Sequence, residues 1–278
     1  MPTRTEITAH QIKEHYDSLA FIYRTFWGDH IHHGLFQDSE SAAEAQVKML
    51  SHCVEILGLR GEEEALDVGC GHGGTLIYLV QTLGCSGTGL TISPKQARIA
   101  KENAARAGLG NRLSFVIGDA DRFSFPAGAF DVVWVMESSE HFQDKAGFFR
   151  NVARTLWPGG KLLLAAWTGS MQIPRVAEVA RAFLCPELWT REQYELAIES
   201  AGLNVAYTED LSANVVRTWE VCRERGNLAK PVLKLMPRAV QEFAAGMDLI
   251  LEAYRSGDLT YTVISAATAK SSHSLQLY

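Results

Sequence analysis

Leu66-Asp67-Val68-Gly69-Cys70-Gly71-His72-Gly73-Gly74 decides how this chain is read. An apolar run of strand character stops at closely spaced glycines, and a helical pattern (Leu76, Ile77, Leu79, Val80) follows. Glycine turns at positive φ and lets backbone press against a ligand, because no Cβ intervenes. The helix start behind it presents unpaired N–H groups. The stretch predicts a nucleotide-type cofactor loop at the end of a first strand.

Spacing leaves the cofactor open. Gly69, Gly71 and Gly74 satisfy the dinucleotide pattern G-x-G-x-x-G. That pattern also expects an acidic residue about 20 positions on, to hold a ribose hydroxyl. The second strand instead ends Gly89-Leu90-Thr91-Ile92-Ser93, and the acid sits within the first strand as Asp67. This disfavours a nicotinamide-dependent oxidoreductase without removing it.

Outward from the loop, strand-like and helix-like patterns alternate. Strands are expected at 65–68, 87–91, 113–117, 131–136 and 161–167, and helices at 74–83, 94–107 and 145–156. Ser93 is a good N-cap with Pro94 at the first helical position, and Gly108 a good stop. Alternating βα units imply an α/β fold, a mostly parallel sheet with helices on both faces. Ligands in such sheets bind beyond the carboxyl ends of the strands. The flanks read as helices at 7–23, 41–57, 191–201, 215–225 and 233–254, with strands at 203–207 and 259–266. The expected division is an N-terminal helical lid segment (1–60), a cofactor-binding core (61–170), and a segment of lid helices and last strands (171–278). No Gly/Ser-rich linker marks a boundary, so lid and core are expected to form one unit.

Composition narrows the function. The net charge of −6 disfavours a nucleic-acid partner, since no basic stripe is present to meet phosphates. A base-flipping signature such as Asn-Pro-Pro-Tyr is also missing. No apolar run approaches the ~18 residues of a membrane span, and residues 1–10 lack a signal-peptide core. Five cysteines without CxxC spacing fit a reduced, cytoplasmic protein. Cys70 reads as a small filler in the loop rather than a nucleophile. Oligomeric state stays open, a homo-oligomer included.

Three further stretches carry chemistry. Asp119, after the third strand in Gly118-Asp119-Ala120, suits an adenine amine as acceptor; an Asx turn is the plainer alternative. Met136-Glu137-Ser138-Ser139-Glu140-His141-Phe142 follows the central strand. A histidine there suits a general base, and Glu140 could orient it or bind a polar substrate group. Trp157-Pro158-Gly159-Gly160 reads as a turn that marks the fold. Trp27-Gly28-Asp29-His30-Ile31-His32-His33-Gly34 is rich in histidine, yet adjacent loop positions rarely converge on one ion and no HExxH spacing accompanies them. No metal is expected; a pocket rim is.

Together these motifs resemble the class I S-adenosylmethionine (SAM) dependent methyltransferases. They are most similar to the γ-tocopherol methyltransferase-like group, which includes plant alkaloid N-methyltransferases. The resemblance rests on Leu66-Asp-Val-Gly-Cys-Gly71, Trp27-Gly-Asp-His-x-His-His-Gly34, Leu90-Thr-Ile-Ser-Pro-x-Gln96 and Met136-Glu-Ser-x-Glu-His141. Asn214-Val215, Trp219, Ala253-Tyr254 and Gly257 extend it over nearly the whole chain. Antibiotic-pathway sugar O-methyltransferases and mycolic acid cyclopropane synthases are more distantly similar through His15-Tyr16-Asp17 and Glu140-His141. The fold implied is Rossmann-like, with seven strands and a helical lid.

The resemblance implies SAM as cofactor. Its binding set would be Tyr16, Asp67, Gly69, Cys70, Gly71, Thr91, Ile92, Gln96, Asp119, Ala120 and Met136. Thr91 stands where many methyltransferases carry an acid, so Thr91 and Gln96 would hold the ribose. His141 and Glu140 would be catalytic, and Trp27, His32, His33 and Phe142 would form the substrate pocket. The expected reaction is methyl transfer to O, N or C of a small, largely apolar or aromatic natural-product acceptor. The alternative is a C-methylating or cyclising enzyme in which SAM is only structural; a scaffold with a dead site is less favoured. Without a plastid-targeting segment, and with a short stretch between Thr168 and Leu188 to line the acceptor pocket, a bacterial secondary metabolite is expected rather than tocopherol.

Overall fold

The computed structural model describes residues 7–26, 30–233, 235–236 and 238–270. In chain order the elements are α1 (Ala9–Phe26), α2 (Ala42–Leu57), β1 (Glu64–Val68), α3 (Gly74–Leu83), β2 (Ser86–Thr91), α4 (Pro94–Arg106), β3 (Leu113–Ile117), β4 (Phe130–Met136), α5 (Lys145–Thr155), β5 (Leu156–Thr168), α6 (Pro174–Ala182), α7 (Arg191–Ser200), β6 (Asn204–Asp210), α8 (Ser212–Leu233), α9 (Arg238–Ser256) and β7 (Thr260–Ala267). A single 3₁₀ turn covers Ser139–His141.

The strands form one sheet in the order β3-β2-β1-β4-β5-β7-β6. All neighbours are parallel except β7, which runs antiparallel to both β5 and β6. The order reverses between β1 and β4, which pair Asp67 with Trp134 and Val68 with Val135. A reversal leaves a crevice beyond the carboxyl ends of the two strands. The glycine loop follows β1 and the Glu137–His141 stretch follows β4, so the topology delivers both to that crevice.

Central strands covered on both faces read as continuous apolar runs. Leu162 to Ala166 of β5 are fully buried for this reason. On one face Phe148, Phe149 and Val152 of α5 pack with Tyr194 and Ile198 of α7. On the other, residues of α1–α4, α6, α8 and α9 share one core with the sheet, so the flanking helices and the central unit are packed together. Among the described residues no helix is long and apolar enough to cross a membrane.

Two expectations are corrected. Trp157–Gly160 is not a free turn. β5 begins at Leu156, opposite Phe130, and its register then jumps to Lys161 opposite Val132. The four residues form a bulge on a longer strand, with Gly159 at φ +84°. Helix α6 was not anticipated, because its N-cap is Ile173, which makes no side-chain cap, and only Pro174 signals the start.

Candidate active site

Each side of the crevice has a local cause. Gly69 sits at φ +82°, and a Cβ there would come within 2.3 Å of Ser138 Cβ. Ser138 must stay close because its Oγ donates to Val68 O at 2.7 Å, tying the end of β4 to the end of β1. Gly71, at φ +50°, is different: a Cβ there would meet nothing nearer than Ile31 Cδ1 at 3.6 Å. No protein atom demands glycine at that point, and the space belongs to the cavity it lines.

That cavity is lined by every described residue of the expected cofactor set: Tyr16, Asp67, Gly69, Cys70, Gly71, Thr91, Ile92, Gln96, Asp119, Ala120 and Met136. Asp67 is 3% exposed, and its Oδ2 is buried without a hydrogen-bond partner. Burial pushes its carboxyl up to about 7. A buried carboxylate oxygen without a donor fits a ligand that brings an ammonium group. Thr91 Oγ1 donates to Gln96 Oε1 at 2.9 Å and accepts from Ser93 N–H at 3.2 Å. Its hydroxyl is therefore engaged within the protein, and Gln96 is buried rather than a solvated helix residue. Asp119 Oδ1 accepts from Asp121 N–H at 3.1 Å, so the residue both makes an Asx turn and faces the cavity.

Helix α1 covers this cavity with Ala9, Ile12 and Tyr16. Asp17 fixes the helix in place. Its Oδ1 accepts from Ser93 Oγ at 2.5 Å, its backbone carbonyl accepts from Lys95 Nζ at 2.9 Å, and its Oδ2 pairs with Lys13.

A second cavity adjoins the first and has Trp167, Phe183, Trp219 and Phe243 in its wall. These rings meet edge to face, with centroid separations such as 5.3 Å for Trp167–Phe183 and Phe183–Trp219. Phe183 and Cys185 come from the short segment between Thr168 and Leu188. The polar residues here are largely uncharged at neutral pH. Burial holds His15 and His141 down to about 4 and lifts Glu140 to about 8. Glu140 Oε1 accepts from Trp167 N–H at 2.7 Å, and its Oε2 is buried without a partner. The two cavities share Tyr16, Ile31, Glu137 and His141.

His141 is held at both nitrogens. A carbonyl oxygen only accepts, so Nδ1–H donates to Leu184 O at 3.1 Å, and Nε2 receives the Tyr16 hydroxyl at 2.6 Å. Lys145, 2% exposed, secures this corner by donating to Phe142 O and Glu187 O.

The expected substrate pocket is redrawn. His33 lies along neither cavity: it is fully buried, with Nδ1 on Glu137 at 2.7 Å and Nε2 receiving Trp219 Nε1–H at 2.6 Å. Both ring nitrogens are consumed inside the core. His32 and Phe142 line the first cavity and not the second; His32 Nδ1 bonds His33 O, and Phe142 packs on Phe148. Trp27 and Asp29 lie outside the described residues, and so does the side chain of Phe21. The sequence singled out neither Glu137 nor Lys145 as a site residue. Glu137 carried one signal: a second acid three residues before Glu140, directly after the central strand.

Residues 66–164 match the family described as "Methyltransferase domain". The chain is 30% identical to tocopherol O-methyltransferase of Arabidopsis thaliana over 289 aligned positions, covering 95% of this chain and 83% of that protein. It is 31% identical to 27-O-demethylrifamycin SV methyltransferase of Amycolatopsis mediterranei (strain S699), covering 80% and 84%. Among solved structures, the [4+2]-cyclase SpnF has the same fold, with a TM-score of 0.84 and 24% identity over 95% of this chain and 97% of that one.

Proposed function

The chain belongs to the SAM-dependent methyltransferases, and from that premise we propose that it methylates a hydroxyl of a small, neutral, largely aromatic natural product. The observation that carries this reading is the pair of adjoining cavities with a shared wall at Tyr16, Ile31, Glu137 and His141. One cavity suits the cofactor. The other offers aromatic faces, uncharged polar tips on His15, Glu140 and His141, and one carboxylate, Glu137, at the wall it shares with the first, a lining that favours a largely apolar acceptor. Two relatives are named for methyltransferase activity, on tocopherol oxygen and on a demethylrifamycin.

The bound cofactor supplies an electrophilic methyl group on a sulfonium. In this reading Asp67 takes its ammonium group, Gln96 with Thr91 the ribose, and Asp119 the adenine amine. Segment 1–60 and the helices of 171–278 act as the lid, the last strands of 171–278 complete the sheet, and the protein works in the cytoplasm on a small molecule, with no nucleic acid. The protein's remaining task is alignment, exclusion of water and removal of one proton. The acceptor hydroxyl donates to the Tyr16 oxygen while Tyr16 passes its own proton to His141 Nε2. A base with a pKa of about 4 suffices, because the acceptor oxygen turns strongly acidic as it bonds to carbon. Leu184 O stabilises the resulting imidazolium through Nδ1–H. Glu140, in the lining of the second cavity, orients the acceptor.

Incubation with methyl-deuterated SAM and a panel of phenolic and polyketide hydroxyl compounds tests this. The expected product carries the label on oxygen, with one S-adenosylhomocysteine formed per turnover. Conversion of an acceptor without loss of SAM would identify a cyclase-type reaction instead, and label on carbon a C-methylating one. His141→Ala should slow O-methylation by about 10²–10⁴-fold while S-adenosylhomocysteine affinity stays within a few-fold.

A further inference from the structure

Among the described residues only Glu137 and Leu184 are non-glycine residues at positive φ, at +50° and +54°. Both belong to the wall between the cavities or support it: Leu184 O orients His141, and Glu137 lines both cavities. Such backbone strain persists where the surroundings enforce it, and it points to function.

Glu137 receives four hydrogen bonds. His33 N–H and Tyr261 O–H reach Oε1 at 2.6 and 2.9 Å; His33 Nδ1–H and Trp167 Nε1–H reach Oε2 at 2.7 and 3.3 Å. These four donors fill both carboxylate oxygens and leave no place for a carboxyl proton. It is ionised at neutral pH. His33 cannot neutralise it while Trp219 is in place. An indole N–H only donates, so His33 Nε2 must accept, and the single ring proton sits on Nδ1. Among the described residues no lysine or arginine pairs with Glu137. A buried carboxylate held by neutral donors alone calls for a cation.

The two cavities say where that cation lies. A methyl group can pass from cofactor to acceptor only through the wall they share, so the sulfur it leaves must lie against that wall. From this we infer that Glu137 is the fixed counter-charge to the sulfonium and lets the site distinguish SAM from its neutral product S-adenosylhomocysteine. Methyl transfer removes the positive charge from sulfur, and the spent cofactor then loses the attraction that held its precursor. The inference rests on the cofactor and not on the choice of acceptor.

Calorimetric titration without acceptor reads it, using SAM, S-adenosylhomocysteine, and sinefungin, which carries a protonated amine near the sulfonium position. Glu137→Gln should weaken SAM and sinefungin by about tenfold or more, with S-adenosylhomocysteine changed by less than about threefold. Equal losses for all three ligands would make Glu137 a structural brace only, and no loss for the cationic pair would also overturn the inference. Should the variant fail to fold, the wild type decides. Sinefungin should then bind more tightly than S-adenosylhomocysteine, and the reverse order contradicts the role. Wild-type protein that binds none of the three overturns the cofactor assignment itself, an outcome distinct from failure of Glu137 alone.

Discussion

Asp67 and Glu137 are two buried carboxyls at the ends of neighbouring strands, in opposite states. Asp67 has an oxygen without a donor and a carboxyl raised to about 7; Glu137 has four donors and a lowered one. The difference assigns separate tasks. Asp67 waits for a donor from the ligand, so Asp67→Asn should leave the melting temperature of the ligand-free protein unchanged or raised above pH 7. The same change should cost about 1.5–3 kcal/mol of SAM affinity, about ten- to a hundredfold; a titration calorimeter and a thermal melt check both halves. Asp67 was legible because burying an acid inside an apolar strand is costly, and the glycine loop after it supplies a ligand to offset that cost. Glu137 and the neutral state of His33 were not, because they depend on Trp219 from a helix 186 positions away. The histidine-rich loop misled for the same reason: adjacent residues in sequence, His32 and His33, face different surroundings, one cavity and one core.

At the scale of elements, α1 acts as the cover of the cofactor cavity and Asp17 as its fastening to the start of α4. The fastening is partly exposed, so it contributes on the order of 1 kcal/mol. Asp17→Ala should speed release of S-adenosylhomocysteine several-fold in stopped-flow displacement while the melting temperature moves by a few degrees at most. A large fall in stability with unchanged release would make the contact a fold brace. Strands β1 and β4 were legible almost to the residue, since both are buried nearly throughout and read as apolar runs bounded by glycine or polar turns. What escaped were elements whose ends carry no chemistry of their own. Helix α6 lacks a capping side chain, and the start of β5 is hidden by a bulge rich in the residues that usually make turns.

For the whole molecule, the buried titratable groups predict how stability follows pH. His15, His30 and His141 are held at about 4 against 6.5 in the unfolded chain. Below pH 6.5 the unfolded state takes protons that the native state refuses, so stability falls as pH falls. Asp67 and Glu140 are held at about 7 and 8, against 3.8 and 4.5 unfolded. Their native protons stabilise at low pH, and that contribution is lost as pH rises toward 8. Among these five groups the three histidines outweigh the two carboxyls below pH 6.5, and the two carboxyls dominate just above it. Ligand-free protein should therefore be most stable near pH 6.5 in denaturant titrations. A bound cofactor that ionises Asp67 should shift that maximum upward, and a ligand-free maximum at pH 8 or beyond contradicts the assignment. The central claim is that cofactor and acceptor meet at one wall, and a crystal structure with S-adenosylhomocysteine tests it most directly. The sulfur is predicted to lie against Tyr16, Ile31, Glu137 and His141, with the ammonium group on Asp67. A sulfur atom away from that wall, or a ligand outside the glycine-loop cavity, would contradict the account.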